Sequence, residues 1–195
     1  MSGIKIEALK KEVIESVKSI YPDFNYYYSI GWPNDHPGVK RDEIESILNE
    51  IRSKMYVNAY FKGEPIDFHW NWEIEITFDE NIPTYHQVVT DYARWNELVE
   101  EHGNIIQMTI SLSFLRRYGY FFWNGWYPDY KRNFATFQTP DVKRCIELEQ
   151  VVKDVLENHQ IQFLPEEIVK MQFPEFGEIG YHTIPTVVHC LFKEM

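Results

Sequence analysis

Only two cysteines, Cys145 and Cys190, occur in 195 residues. A pair so far apart builds neither a disulfide framework nor a zinc motif. The apolar neighbours of each point instead to buried thiols in a reducing compartment. Glycine is also scarce, with nine in the chain. GxGxxG, the P-loop and the GxSxG elbow are all missing, so the usual phosphate-cradling and nucleophile-presenting turns are not available. The histidines are scattered, without HExxH, HxH or His-to-Cys spacing. No catalytic residue, metal or cofactor is therefore expected. No apolar run approaches the roughly 20 residues of a membrane span. Residues 1–11 scatter charges where a signal peptide would carry an apolar stretch. A cytoplasmic protein without membrane contact is expected.

Positive charge is the other shortage: 19 Lys and Arg against 30 Asp and Glu, a formal net charge of −11. A surface of that sign repels phosphate backbones, which argues against a nucleic-acid partner, and draws in basic proteins. What the chain has in quantity is aromatic side chains, with 6 Trp, 13 Tyr and 13 Phe. They are enough to fill a core, and Tyr and Trp also anchor interfaces. With no repeat, linker or low-complexity tract, residues 1–195 read as one domain.

Apolar spacing of 3.6 residues marks helices over 4–20, through Leu9, Val13 and Val17, and over 42–54, through Ile44, Ile47, Leu48 and Ile51. A third helix is expected over 84–102, opened by Thr84 and Gln87 at capping-box spacing and closed by Gly103. A fourth is expected from Thr139-Pro140 to about His159, with Thr139 as its N-cap. Residues 165–172 suggest a short helix. Strands are expected over 56–61, 66–78 and 104–115. Asn124-Gly125 predicts a hairpin turn between two further strands, and a last strand is expected over 183–192. Adjacent strands with helices on their apolar side give an α+β fold: a mainly antiparallel sheet with helices packed on one face.

The candidate functional surface comes from the alternation in 66–78. A strand sends successive side chains to opposite faces. Ile66, Phe68, Trp70, Trp72, Ile74, Ile76 and Phe78 therefore face a core, expected to lie beneath the 84–102 helix. Asp67, His69, Asn71, Glu73, Glu75 and Thr77 form the opposite, polar row. Gln107, Thr109, Ser111 and Ser113 would extend it, as would Asn58, Tyr60 and Lys62 if in phase. His69 and Glu73 stand about 13 Å apart at strand rise, too far for one ion. The row reads as a partner-binding or solvated face. Asp67, His69, Glu73 and Glu75 are the charged candidates, and Tyr26, Tyr27, Tyr28 and Trp126 the aromatic ones.

Small, acidic, aromatic-rich and without a catalytic motif, the chain is similar in general profile to bacterial immunity proteins encoded beside polymorphic or contact-dependent toxins. That profile implies a non-catalytic protein-binding antitoxin whose partner is a basic toxin. Two alternatives use the same residues: a hydrolase or transferase working through carboxylates of the polar row, and a small-molecule sensor with the aromatic loop over 21–39 as its lid. The oligomeric state is not legible in the sequence.

Overall fold

The computed structural model of the chain describes residues 3–21, 36–63, 70–88, 91–128, 134–177 and 184–192. Helix α1 (Gly3–Ile20) and helix α2 (Arg41–Lys54) form where the apolar spacing predicts them. In α2 the Lys40 amide donates to Glu43 Oε1 at 3.0 Å, and Asp42 and Glu43 place carboxylates in the first turn, where the helix dipole favours them. Strands β1 (Asn58–Phe61), β2 (Asn71–Thr77), β3 (Ile105–Ser113), β4 (Tyr118–Trp126) and β5 (Phe134–Thr136) follow one another across an antiparallel sheet. A two-residue strand, β6 (Gln162–Phe163), pairs parallel with the start of β4. The fold is thus α+β with a mainly antiparallel sheet. At its outer edge Arg52 Nη2 donates to the Ala59 carbonyl of β1 at 2.7 Å.

One face of the sheet carries Trp72, Ile74, Ile76, Met108, Ile110, Leu112, Phe121 and Trp123, all buried. They pack against Ile44, Ile47, Leu48 and Ile51 of α2 and against α5 (Lys143–Asn158), whose Cys145, Leu148, Val152, Val155 and Leu156 supply its inward stripe. Trp72 also donates its indole N–H to the Val39 carbonyl at 2.8 Å. The expected core therefore exists, but α2 and α5 cover it. The segment expected above it divides into α3 (Tyr85–Val88) and α4 (Tyr92–His102) and packs on the opposite side of the sheet. Asp91 caps α4 by accepting from the Arg94 amide at 3.0 Å, and Gly103 closes it at φ 72°, the left-handed value that glycine adopts without strain.

Three further expectations are corrected. Asn124-Gly125 makes no turn, because β4 runs straight through it between β3 and β5. The glycine is needed for close approach: a Cβ at Gly125 would fall on the ring of Phe134. The C-terminal strand is instead a helix, α7 (Val187–Leu191), with Val187, Cys190 and Leu191 buried at helical spacing and Thr186 bonded to His189 at its start. The run Val187 to Phe192 is nearly all apolar apart from His189, so periodicity alone could not separate strand from helix. Finally, α5 begins at Lys143 with Val142 as its N-cap, not at Thr139, whose hydroxyl donates to Glu149. The short helix α6 (Glu166–Val169) lies within the range predicted for it. No helix among the described residues is long and apolar enough to cross a membrane.

Candidate functional site

The strand register assembles the polar row. Glu73 pairs with Ser111, Glu75 with Thr109, Asn71 with Ser113 and Thr77 with Gln107. Tyr60 lies opposite Glu75 and Asn58 opposite Thr77, so β1 is in phase with them. On the other flank Ser111 meets Tyr120, Thr109 meets Phe122 and Gln107 meets Asn124. Asp67, His69, Tyr26, Tyr27 and Tyr28 lie outside the described residues.

The row is not the open face the alternation suggested. Asn71, Glu75, Thr77, Gln107, Thr109, Ser111 and Ser113 are buried, and Glu73 is only 9% exposed. The reason lies at the two ends of the face, where the residues are apolar or aromatic. At one end Ile105 and Trp126 receive α3 and α4. Trp126 is half-buried, stacked on Tyr85 with centroids 5.6 Å apart and edge-on to Trp95 at 5.1 Å, so it is not a free anchor. At the other end Tyr118 and Tyr120 receive α1, α6 and α7. Phe192 meets the Tyr120 ring at 4.8 Å, and Ser113 donates to the Leu191 carbonyl at 2.6 Å. Helices therefore stand on both faces, not on one, with the polar row between two apolar contacts.

Burial forces most of these polar groups into specific partnerships. Lys62 Nζ lies 2.7 Å from Glu73 Oε2, and the Asn71 amide donates to Glu73 Oε1 at 3.3 Å. Glu75 accepts from the His86 backbone N–H at 3.1 Å and is also bonded to the His86 ring. Thr77 donates to the Ile82 carbonyl at 2.6 Å, Gln107 accepts from the Tyr85 amide at 2.9 Å, and Asn124 donates to Thr109 at 3.1 Å. Tyr120 is held neutral by its surroundings: burial first, with the Glu73 charge adding to it, pushes the hydroxyl up to about 12. The neighbouring Ser111 opposes this only in part.

The carboxylates stand two residues apart on one strand face, about 7 Å along the strand, and both already have basic partners. Acid–base work would have to displace them. Among the described residues no group of three His, Cys, Asp or Glu side chains is placed to hold a metal ion. Burial raises both thiols, Cys145 to about 11, which leaves neither activated as a nucleophile. The basic doublet at 116–117 is structural. Arg117 grips Glu43 through two bonds of 3.0 and 2.8 Å, and Arg116 bonds Ser19 at 2.6 Å and the Leu115 carbonyl at 2.8 Å.

The exterior offers a residue that reading for polar rows passed over. Tyr56 is 60% exposed; among the described residues only Val142 and Ile146 are comparably exposed large apolar side chains. Continuing the pairing of Asn58 with Thr77 outward sets Tyr56 opposite Asp79. Arg144 ties the two strands at this point, bonding the Tyr56 carbonyl at 3.2 Å and the Phe78 carbonyl at 2.6 Å. The Glu80 carboxylate, with help from Asp79, raises the Tyr56 hydroxyl pKa above its ordinary value, which places both charges beside the ring's polar end. Alternation over Tyr56, Val57, Asn58 and Ala59, with Val57 and Ala59 buried, was the signal that could have found it. No protein-family model, no curated protein and no solved structure matches the chain.

Proposed function

We propose that the protein is a non-catalytic binding protein of the immunity type, which neutralises a basic toxin by direct contact at the acidic surface around Tyr56. The observation that carries this reading is Tyr56 itself, an exposed aromatic side chain set beside Asp79 and Glu80. A large amphipathic ring beside carboxylates suits a partner that presents Lys or Arg next to an apolar pocket. The outer side of α4 adds charge of the same sign through exposed Glu97, Glu100 and Glu101, of which Arg94 pairs with the first and last. The net charge of −11 would steer such a partner from a distance. Glu73 and Glu75, first nominated as contacts, are buried and serve this reading only by holding the sheet.

The test is co-expression with the toxin-like product of a neighbouring gene, followed by co-purification and binding kinetics. Replacing Asp79 and Glu80 with Lys should slow association and flatten its dependence on salt. Tyr56→Ala should speed dissociation by roughly 30-fold, equivalent to about 2 kcal/mol for a central anchor. A complex indifferent to all three changes moves the interface elsewhere. Absence of binding to any neighbouring gene product counts against the immunity reading itself.

A further inference from the structure

At the border of the sheet beyond β4 the two helical layers part. Helix α1 packs with the core of the second face and α5 with that of the first, while β6 closes the border between them. A groove of about 900 Å³ lies over this border, and its described lining comes from α1, the end of α5, β6 and the start of α6. Its floor is apolar, through Ile6, Leu9, Ile161 and Phe163. The groove also exposes backbone. Gln162 and Leu164 donate their amides to the Arg117 and Gly119 carbonyls beside and within β4, each at 2.8 Å. Strand alternation therefore turns the Phe163 N–H away from β4, and among the described residues it makes no hydrogen bond.

We infer that this groove binds an extended, basic segment of a protein partner, laid along β6 with one of its backbone carbonyls on the Phe163 N–H. A strand edge with a free donor is a template for such an addition, and apolar pockets beside it select alternate side chains of the guest. Charge selects a basic guest. Glu12, Glu157 and Glu167 stand on three sides of the groove, one each from α1, α5 and α6. Glu12 meets only the Tyr118 hydroxyl, at 3.0 Å, and Glu157 has no ion pair among the described residues. The Lys153 ammonium is already taken by Glu149 at 2.5 Å and by the Phe163 ring at 4.9 Å. Among the described lining residues, Lys5 is left as the one cation without a bonded carboxylate. An anionic segment would meet all three carboxylates. The groove is separate from the Tyr56 surface: Arg144 holds Tyr56 near the start of α5, and Glu157 stands about 20 Å further along that helix.

The test is a titration of the full chain with a short peptide that alternates valine and lysine, acetylated and amidated at its ends, followed by two-dimensional NMR and amide hydrogen exchange. Two further peptides serve as controls, one with serine in place of valine and one with glutamate in place of lysine. Saturable shifts should come from the first peptide alone and centre on the amides of Glu12, Glu157 and Phe163. The Phe163 amide should exchange about tenfold more slowly in the complex, because the added strand covers it. Glu157→Gln and Glu167→Gln together should weaken binding by about tenfold, while Tyr56→Ala should leave it unchanged. Both glutamates are exposed, so the paired variant keeps the fold. Equal binding of the serine peptide would reduce the attraction to net charge and overturn the groove. So would a Phe163 amide that exchanges as fast with the peptide as without it, an affinity that falls with Tyr56→Ala but not with the glutamate pair, or no saturable shift at millimolar concentration.

Discussion

On the first face of the sheet, Trp72, Ile74, Met108, Ile110 and Leu112 lie against α2 and α5 with almost no directional demand beyond the single indole bond to Val39. One position along the same strands, Glu73, Glu75, Thr109, Ser111 and Ser113 are as deeply buried, but nearly all depend on a named partner. The first face is held by volume and the second by pairing. Dispersion and apolar burial vary smoothly with the size of a side chain, whereas a buried polar group is either met or costly. The first face should therefore respond to truncation in proportion to what is removed. The second should respond according to whether the atom removed had a partner.

The largest effect should be on the first face. Trp72→Ala should lower stability by about 3–5 kcal/mol in urea titration, because the site is too enclosed to collapse fully. A loss under about 1 kcal/mol would mean the indole is not part of a close-packed layer. The second face should answer next. His86→Ala leaves Glu75 its backbone bond but removes the ring partner, and should cost about 1–3 kcal/mol. His86→Asn, which can still donate to the carboxylate, should recover part of it. The sharpest form of the comparison is a pair of serines two residues apart. Ser113→Ala breaks the bond to Leu191 and should cost about 1 kcal/mol, more than Ser111→Ala, whose hydroxyl meets only the neighbouring Tyr120. Equal costs for the two would erase the distinction between a strongly and a weakly met group. The smallest effect lies outside both faces. Hydrogen bonding by Arg117 holds the Glu43 carboxyl below its usual range. Its folded pKa is depressed, so this contribution is present above the unfolded value and lost as pH falls through the folded one. Because both side chains keep about a third of their exposure, solvent screens the pair and the loss should stay under about 1 kcal/mol. It should vanish from the acid limb of the stability curve in Glu43→Gln.

The strands were legible because their period is local. Alternation alone assigned Trp72 and Glu73 to opposite faces, and β1 joined in phase as that alternation allowed. What covers each face was not legible, since it depends on register between strands far apart in sequence. Ile105 beside Trp126, and Ser111 beside Tyr120, become neighbours only once β3 and β4 pair. Those pairs draw helices over a row that looks solvent-facing in one dimension. Asn124-Gly125 misled for a similar reason: its turn chemistry is real, but the Phe134 ring, which only β5 pairing brings there, takes the space a side chain would need. Of the candidate site, the membership of Glu73 and Glu75 in one row was readable, and their burial was not. Tyr56 was readable from the alternation that runs from it into β1, yet polar patterning drew attention away from it.

The guanidinium of Arg52 on the Ala59 carbonyl has a consequence for how the molecule behaves in company. The outermost strand of a sheet is a template on which another chain can lay down a further strand, and at high concentration such templates seed fibres. Here the outward carbonyl at the middle of that strand is already occupied by a charged group from the neighbouring helix. A newcomer would have to strip away that cation before adding a rung of its own. Growth of the sheet beyond its own chain therefore meets a charged obstacle at this rung of its border.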